Sequence, residues 1–597
     1  KITGEGKLLG TIGYMSPEQV RGQRADHRSD IFSLGCVFYE MISGRRPFER
    51  ATQADTLAAI LNEPPPPLPA GTPTGIQAVV ERCLAKQPDQ RFQSAREVRA
   101  ALETVPVGGA ISGADRPSSR SGTRLRSGQR SEGGRTPSVR MAVLPFANLT
   151  GDPEQEHLSD GITQEMISQL GRLHPGGLSV IARSSVMRYK GGETPVDQIG
   201  RELRVAYVLE GSARREADRV RITAELIQVE DQTLLWAETY ERELAGILAL
   251  QSEVAQEIAR TLALELLPRE RAHLDSVRSV DPEAHDAYLK GSYHWTKLTP
   301  EGIDTAERYF ELALGKDPSY APAYKGLATV WLVRQQMGIT PPREAGPKAK
   351  AAALRAVELD DHSAEAHEAL AMVRMYIDWD WAAAEHESKQ VLEINPNAAH
   401  THAYYAHLLA VLMRSDEGFS HSRRALELDP FNALFHGMYA MVLYIGRRYD
   451  DALAAVRAGL AIHPDNPVLW NTLQQLYASM GMHDELVAAR RQRIAHDAEL
   501  LEAFEGGLAE SGDRGAHRCV ADLMAHRYES RGRGDAFGVA RRYVEAGDVE
   551  KAVDWLERAY EQRDPNMLYI GSLPFYDPLR SDPRFQDVVR RMNLPLG

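Results

Sequence analysis

The 597-residue chain predicts a multidomain protein in three parts: an α-helical amino-terminal segment, an α/β middle domain with a mixed sheet, and an all-α solenoid. Three observations carry this. Apolar residues fall at helical spacing up to about residue 104 and lose all periodicity over 105–139. Val220, Ile222, Ala224 and Leu226 alternate with Arg219, Arg221, Thr223 and Glu225, the period-two signature of a half-buried strand between helical stretches. Pro396, Pro430 and Pro464 recur at intervals of 34 residues, which marks stacked helical hairpins.

Composition sets the bounds. The chain is too long for one core, and 43% hydrophobic with 26% charged residues is ordinary for a globular protein. A net charge of −13 argues against non-specific nucleic-acid binding. Cys36, Cys83 and Cys519 are scattered and odd in number, which excludes a disulfide framework and a cysteine metal site and points to a reducing compartment. No apolar run is long enough to cross a membrane. The start, Lys1-Ile2-Thr3-Gly4, has neither an initiator Met nor a signal peptide, so the expectation is a truncated, cytoplasmic protein.

In the first segment, Ile31, Leu34, Val37, Phe38 and Met41 make one apolar helix face, stopped by Ser43-Gly44 and Pro47. Helices are predicted at 52–61, 76–85 and 94–102, with Pro64 to Pro67 extended. Four motifs stand in order: Gly10 to Glu18 ending in Ser16-Pro17-Glu18, Ser29 to Gly35, Gly44-Arg45-Arg46-Pro47-Phe48, and Pro88-Asp89-Gln90-Arg91. Together they resemble the activation segment and following helices of a bacterial eukaryotic-like Ser/Thr protein kinase, over residues 1–104. The resemblance implies a buried ion pair between Glu18 and Arg91, a bracing role for Asp30 beneath a catalytic loop, a substrate groove lined by Thr11, Gly13 and Tyr14, and phosphorylation at Thr3 or Thr11.

Phosphoryl transfer needs more than this. It requires a Gly-rich cover, a strand Lys, the catalytic Asp and Asn, and a magnesium-binding Asp. His-Arg-Asp and Asp-Phe-Gly occur nowhere in the sequence. Gly4-Glu5-Gly6-Lys7 is no phosphate loop, because Leu8 stands where Ser or Thr is needed. The reading is therefore no catalytic residue, no cofactor and no metal in this chain, with ATP and Mg²⁺ belonging to a full-length parent. A segment cut from its lobe should also leave apolar surface exposed.

Residues 105–139 are rich in Arg, Ser and Gly and read as a flexible linker. The middle domain, 140–268, is predicted as a strand at 141–146, a helix at 160–173, strands at 178–181 and 205–211, the alternating strand at 220–226, a strand at 234–240 and a helix from Ile247 ended by Pro268. Its markers are Ala142-Val143-Leu144-Pro145-Phe146, Ser159-Asp160-Gly161, Val180-Ile181-Ala182-Arg183, Tyr207 to Gly211 and Leu235 to Glu238. They resemble the TolB amino-terminal-like domain. Asp152, Glu154, Glu156 and Asp160 read as a turn followed by a helix N-cap, Asp160, in preference to a cation site.

Residues 281–597 carry the repeats. Small residues sit where helices meet closely (Ala328, Ala371, Ala406, Ala440, Ala425 and Ala452), and Tyr324, Trp331, Tyr405, Tyr439 and Trp470 fill the hollows between helices. The 34-residue period resembles tetratricopeptide repeats over 282–480, with insertions at 338–347 and 378–381. One further repeat follows Ala546-Gly547-Asp548, and residues 575–585 read as a terminal cap. His400, His402 and His407 are not spaced as metal ligands. A solenoid of this kind implies a protein or peptide partner on its concave face. The chain thus reads as part of a signalling Ser/Thr kinase. The alternative is a non-catalytic scaffold with a relic kinase segment. A nucleic-acid regulator acting through the basic linker is weaker still, since no helix-turn-helix pattern is present.

Overall fold

The computed structural model describes residues 14–21, 23, 26–43, 45–48, 50, 53–69, 72–103, 139–173, 178–192, 194–216, 219–243, 247–262, 280–531 and 535–596. The chain divides into two compact units, Lys1–Gln129 and Arg130–Gly597. Thr3, Thr11, Gly13, the linker up to residue 138, and Ala217 and Asp218 of the hairpin turn expected at Glu216-Ala217-Asp218 lie outside the described residues.

The first unit is all helical: α1 (Pro17–Val20), α2 (His27–Ser43), α3 (Gln53–Asn62), α4 (Thr74–Cys83) and α5 (Ala95–Glu103). The buried stripe of α2 differs from the predicted one. Ile31, Phe32, Gly35, Cys36 and Tyr39 are buried, while Val37 is 40% and Met41 77% exposed. The helix is apolar on more than one side, and the described neighbours cover only one. Phe38, Met41, Ile42, Ile76, Val80 and Leu102 line an open groove of about 570 Å³ on the uncovered side. Gly35 permits the tightest crossing, since a Cβ there would stand 2.7 Å from Cys83 Cβ.

The second unit begins with a mixed sheet of strands β1 (Val139–Val143), β2 (Ala147–Asn148), β3 (Leu178–Val180), β4 (Tyr207–Glu216), β5 (Arg219–Gln228) and β6 (Leu234–Glu243). The order is β3-β1-β4-β5-β6, with β2 also on β4. β1 runs parallel to β3 and β4, and β4-β5-β6 are antiparallel. The predicted alternation is seen in β5: Val220, Ile222, Ala224 and Leu226 enter the core beneath α6 (Glu156–Gly171) and α9 (Ile247–Thr261). Helices α7 (Arg183–Val186) and α8 (Val196–Leu203) lie with Ala142, Ile181 and Val208 in a second small core.

α6 starts at Glu156, so Asp160 is no N-cap. The single turn Pro153–Gln155 runs straight into the helix, and Asp152 caps that turn by accepting from the Glu154 N–H. Asp160 sits one turn inside, buried, with Lys190 Nζ at 2.6 Å and Arg183 Nη2 at 3.2 Å. A buried carboxylate requires such partners.

Helical hairpins follow. The first helices of successive pairs are Pro282–Trp295, Ala321–Gln336, Ala364–Val373, Ala399–Val411, Ala433–Ile445 and Pro467–Met480. Their sequence signals are local: Asp281 and Asn466 cap their helices with Pro at the first position. Successive first helices pack directly on one another except at the step from Ala364–Val373 to Ala399–Val411, while successive second helices show no comparable packing, so the first-helix face is the inner, concave one. The insertion expected at 338–347 is mostly helix, because Pro342–Leu359 starts with it and carries Pro347 inside its first turns. The insertion near Trp381 is a π-turn, Arg374–Asp378, with Trp379 left-handed (φ 56°).

The α/β domain is seated on the turns that join one repeat to the next. Asn397 Nδ2 donates to the carbonyls of Gly171 (2.9 Å) and Leu178 (3.0 Å). Asp429 accepts from Ser185 Oγ at 2.6 Å and from Ser184. The Ala182 N–H donates to the Leu428 carbonyl at 2.8 Å. Gly161 makes room for Leu289 of the first repeat helix. Replacing Asn397 by Ala leaves two buried carbonyls unpaired. The expected cost is about 2 kcal/mol, read as a lower urea midpoint and faster amide exchange in β3 and the end of α6, with the far-ultraviolet spectrum unchanged.

Candidate functional site

Two places carry functional chemistry, one in each unit. In the first, the end of the activation-segment motif is clamped onto the helical lobe. Arg91 Nη1 and Nη2 donate to Glu18 Oε1 and Oε2 at 2.7 and 2.8 Å. Its remaining donors reach the carbonyls of Ala85 (2.8 Å), Arg28 (2.8 Å) and Lys86 (3.3 Å). Ser29 Oγ adds a 2.6 Å bond to Glu18. The guanidinium lies 4.9 Å from the Phe32 ring centroid. Both side chains are buried, yet every guanidinium hydrogen has an acceptor, which is the condition for a buried charge to be tolerated. Burial pushes the Glu18 carboxyl up, and the Arg91 and Ser29 hydrogen bonds override it, holding it at about 2.

Tyr14 leads into this clamp. Its hydroxyl donates to Glu40 Oε2 at 2.5 Å and accepts from Arg46 Nε at 3.1 Å, and Ser33 Oγ donates to its carbonyl at 2.8 Å. These bonds fix the tyrosine on α2 and the Arg46-Pro47 turn. Asp30 is in the first turn of α2 and exposed, apart from the clamp. Lys86 was not singled out in the sequence. Its ammonium donates to the carbonyls of Ile60 (2.7 Å) and Ala59 (3.3 Å) at the end of α3 and lies 3.8 Å from the Phe48 ring centroid. Burial lowers it to about 8. A lone lysine before a proline-containing turn gives no signal of this in sequence.

In the second unit the concave face is bounded at both ends of its helices. At their amino ends, Glu365 accepts from Ser168 Oγ (2.5 Å) and Arg172 Nη2 (2.6 Å) of α6. Burial raises the Glu365 carboxyl, but Arg172 brings it down to about 2. Glu368, beside it, accepts from Thr401 Oγ1 at 2.6 Å and lies 3.2 Å from His400 Nδ1. At their carboxy ends the tail of the chain returns. Trp381 Nε1 donates to the Met592 carbonyl at 2.9 Å, Arg447 Nη2 pairs with Asp577 at 2.8 Å, and Tyr560 lies against Trp379. The stretches on either side of the segment read as a cap, 575–585, reach back: Tyr560 to Trp379 and Met592 to Trp381, while Asp577 within that segment pairs with Arg447, and Tyr576, Leu579 and Phe585 are buried in the shared core.

Of the three histidines, His400 is exposed, and His402 and His407 are packed side chains. His402 Nε2 faces the Pro396 carbonyl at 3.1 Å and its Nδ1 faces His421 Nδ1 at 2.9 Å. His407 is buried against Tyr569, and burial lowers it to about 4. Among the described residues no group of His, Cys, Asp and Glu could hold a metal ion.

Residues 3–102 match the protein kinase domain family. Residues 137–258 match the second domain of HilA/YgeH-like transcriptional regulators. The serine/threonine-protein kinase PknB of Mycobacterium tuberculosis is 41% identical over 110 residues, 18% of each chain. "Putative adenylate cyclase 3" of Rhizobium meliloti is 37% identical over 235 residues, 39% of each chain. The chain thus spans about two fifths, or less, of the curated relatives it matches. A tetratricopeptide-repeat protein of Thermus thermophilus, 18% identical, superposes with a TM-score of 0.28 over 33% of this chain and 99% of its own. The amino-terminal segment is thus kinase-related, joined to a sheet domain and helical repeats. No helix among the described residues is long and apolar enough to cross a membrane.

Substituting Arg91 by Met strands a buried carboxylate. The expected loss is about 3–5 kcal/mol, seen as deprotected α2 and α4 amides in hydrogen exchange. Because the Glu18 carboxyl is depressed in the fold, the pair's contribution is complete above about pH 4.5 and drains away as pH falls through about 2. In Glu18→Gln that acid dependence should flatten.

Proposed function

We propose that this chain is part of a bacterial Ser/Thr kinase signalling protein. In this reading residues 1–104 form the substrate-facing back of the kinase large lobe, with Tyr14 beside the Thr11 and Gly13 positions as the groove wall. The sheet domain, TolB-like in type, and the repeats recruit a protein partner. The observation that carries the reading is the Glu18–Arg91 clamp, with all five guanidinium hydrogens paired, at the positions the kinase resemblance assigns. Its job is mechanical: it pins the end of the substrate-binding loop to the lobe so that the loop can present a hydroxyl in fixed geometry.

The phosphoryl-transfer groups are supplied from outside these 597 residues. ATP and Mg²⁺ accordingly bind only when those groups are joined to it, and Thr3 and Thr11 are the hydroxyls to examine for regulatory phosphate. Asp30, exposed at the start of α2, is free to brace the catalytic loop when that loop is present. The exposed groove beside Met41 is the surface on which the remainder of the lobe rests.

Calorimetric titration of the 597-residue chain with Mg·ATP should give no saturable heat. A protein extended through the coding region upstream of Lys1, which should encode Asp-Phe-Gly, should bind ATP and phosphorylate Ser or Thr. Saturable ATP binding by the chain alone, or an upstream stop codon, would refute the proposal.

A further inference from the structure

The two edges of the β-sheet are treated differently. The β3 edge is covered by the repeats: Asn397 takes the Leu178 carbonyl, Arg424 Nη2 donates to Ser179 Oγ at 2.9 Å, and Ala182 continues the line onto Leu428. β6, the opposite edge, has no strand on its outer side among the described residues. It is ten residues long, and its one irregularity falls near its start, opposite Leu226 and Ile227. It contains no Pro and no Lys, and its charges, Glu238, Glu241, Arg242 and Glu243, are of both signs. Charged side chains keep an edge of that length from pairing with an arbitrary strand, so a strand that pairs with β6 must match them.

The pairing with β5 fixes which way each β6 side chain faces. Trp236, Glu238, Tyr240 and Arg242 stand opposite Leu226, Ala224, Ile222 and Val220, on the face toward α9. Thr239 and Glu241 stand opposite Thr223 and Arg221, on the other face. We propose that β6 pairs antiparallel with β6 of a second copy of this chain, about a two-fold axis through Tyr240. In an antiparallel ladder, opposed residues share a face, so only residues an even number apart can oppose one another. Centring on Tyr240 sets Glu238 against Arg242 of the second copy, and Arg242 against its Glu238. No other allowed register gives an opposite-charge pair. Centring on Thr239 opposes Trp236 to Arg242, and centring on Glu238 or Glu241 places like charges face to face. The strand is thus self-complementary in one register.

The side chains are available for this. Glu238 is exposed, and Arg242 is 45% exposed, its 3.0 Å contact with the equally exposed Glu253 being the kind of surface pair that exchanges at little cost. Tyr240 donates to Glu238 Oε2 at 2.7 Å and so orients that carboxylate.

The test uses the whole chain in sedimentation velocity and light scattering across micromolar concentrations. The expected species is twice the 66.3 kDa chain mass. Glu238→Arg sets Arg against Arg242 in both pairs and should weaken dimerisation roughly tenfold or more. Combining it with Arg242→Glu reverses both charges and should restore the dimer. The single variant's melting temperature serves as the folding control. A wild-type chain that stays monomeric overturns the proposal and leaves the edge for a different chain. A dimer indifferent to the charge reversal, or a double variant as weak as the single one, also overturns it by placing the interface elsewhere.

Discussion

The carboxy-terminal unit depends on one constraint: the β3 edge of the sheet is buried, so its backbone and that of the flanking turns must be satisfied by something other than water. The repeats meet this with the turns between hairpins. Asn397 and Asp429 stand in equivalent turns, and each directs its side chain outward to the α/β domain, Asn397 as a donor to carbonyls and Asp429 as an acceptor from serine hydroxyls. The spacing of such turns along a solenoid is set by the repeat period. The α/β domain is therefore positioned by the same periodicity that builds the helices. An ordinary repeat array leaves these turns in solvent; here they are the seat of a second domain.

That seating explains which features were legible in the sequence. The 34-residue period is visible because Pro396, Pro430 and Pro464 each stand just past the end of a second helix, where a proline stops the helix, a local effect. The alternation of β5 was visible because one face meets a core and the other does not. What Asn397 and Asp429 do beyond their own turns was hidden, because their partners lie more than two hundred residues away. Asp160 was misplaced for a related reason. A carboxylate before an apolar run looks like a cap, and only the fold brings Arg183 and Lys190 to it. On α2, apolar residues on several sides do not reveal which stripe is covered, and Val37 and Met41 fall on a side that the described neighbours leave open.

In the first unit, the Glu18–Arg91 clamp shows how a set of short helices is tied into one shape. Arg91 ties together three separate stretches: the helix carrying Glu18, the turn at Ala85-Lys86 and the start of α2 through Arg28. Lys86 closes a fourth by taking the last carbonyls of α3. The resemblance placed the first of these contacts, since it spans a known motif pair. The lysine contact was unreadable, because lysine at a helix end is common and its acceptors come from a helix more than twenty residues earlier.

The return of the tail to Trp381 changes what kind of object the solenoid is. Repeat arrays gain and lose units readily because each contacts only its neighbours. Here the hydrogen bond from Trp381 to Met592 and the packing of Tyr560 on Trp379 close a loop of about two hundred residues. A hairpin inserted or deleted inside that loop would move the tail by a whole repeat and break the closure. One added before Pro342 would leave the closure but part Leu289, which packs at Gly161, from the Asn397 and Asp429 turns that seat the same domain, so the repeat count is held on both sides of the π-turn.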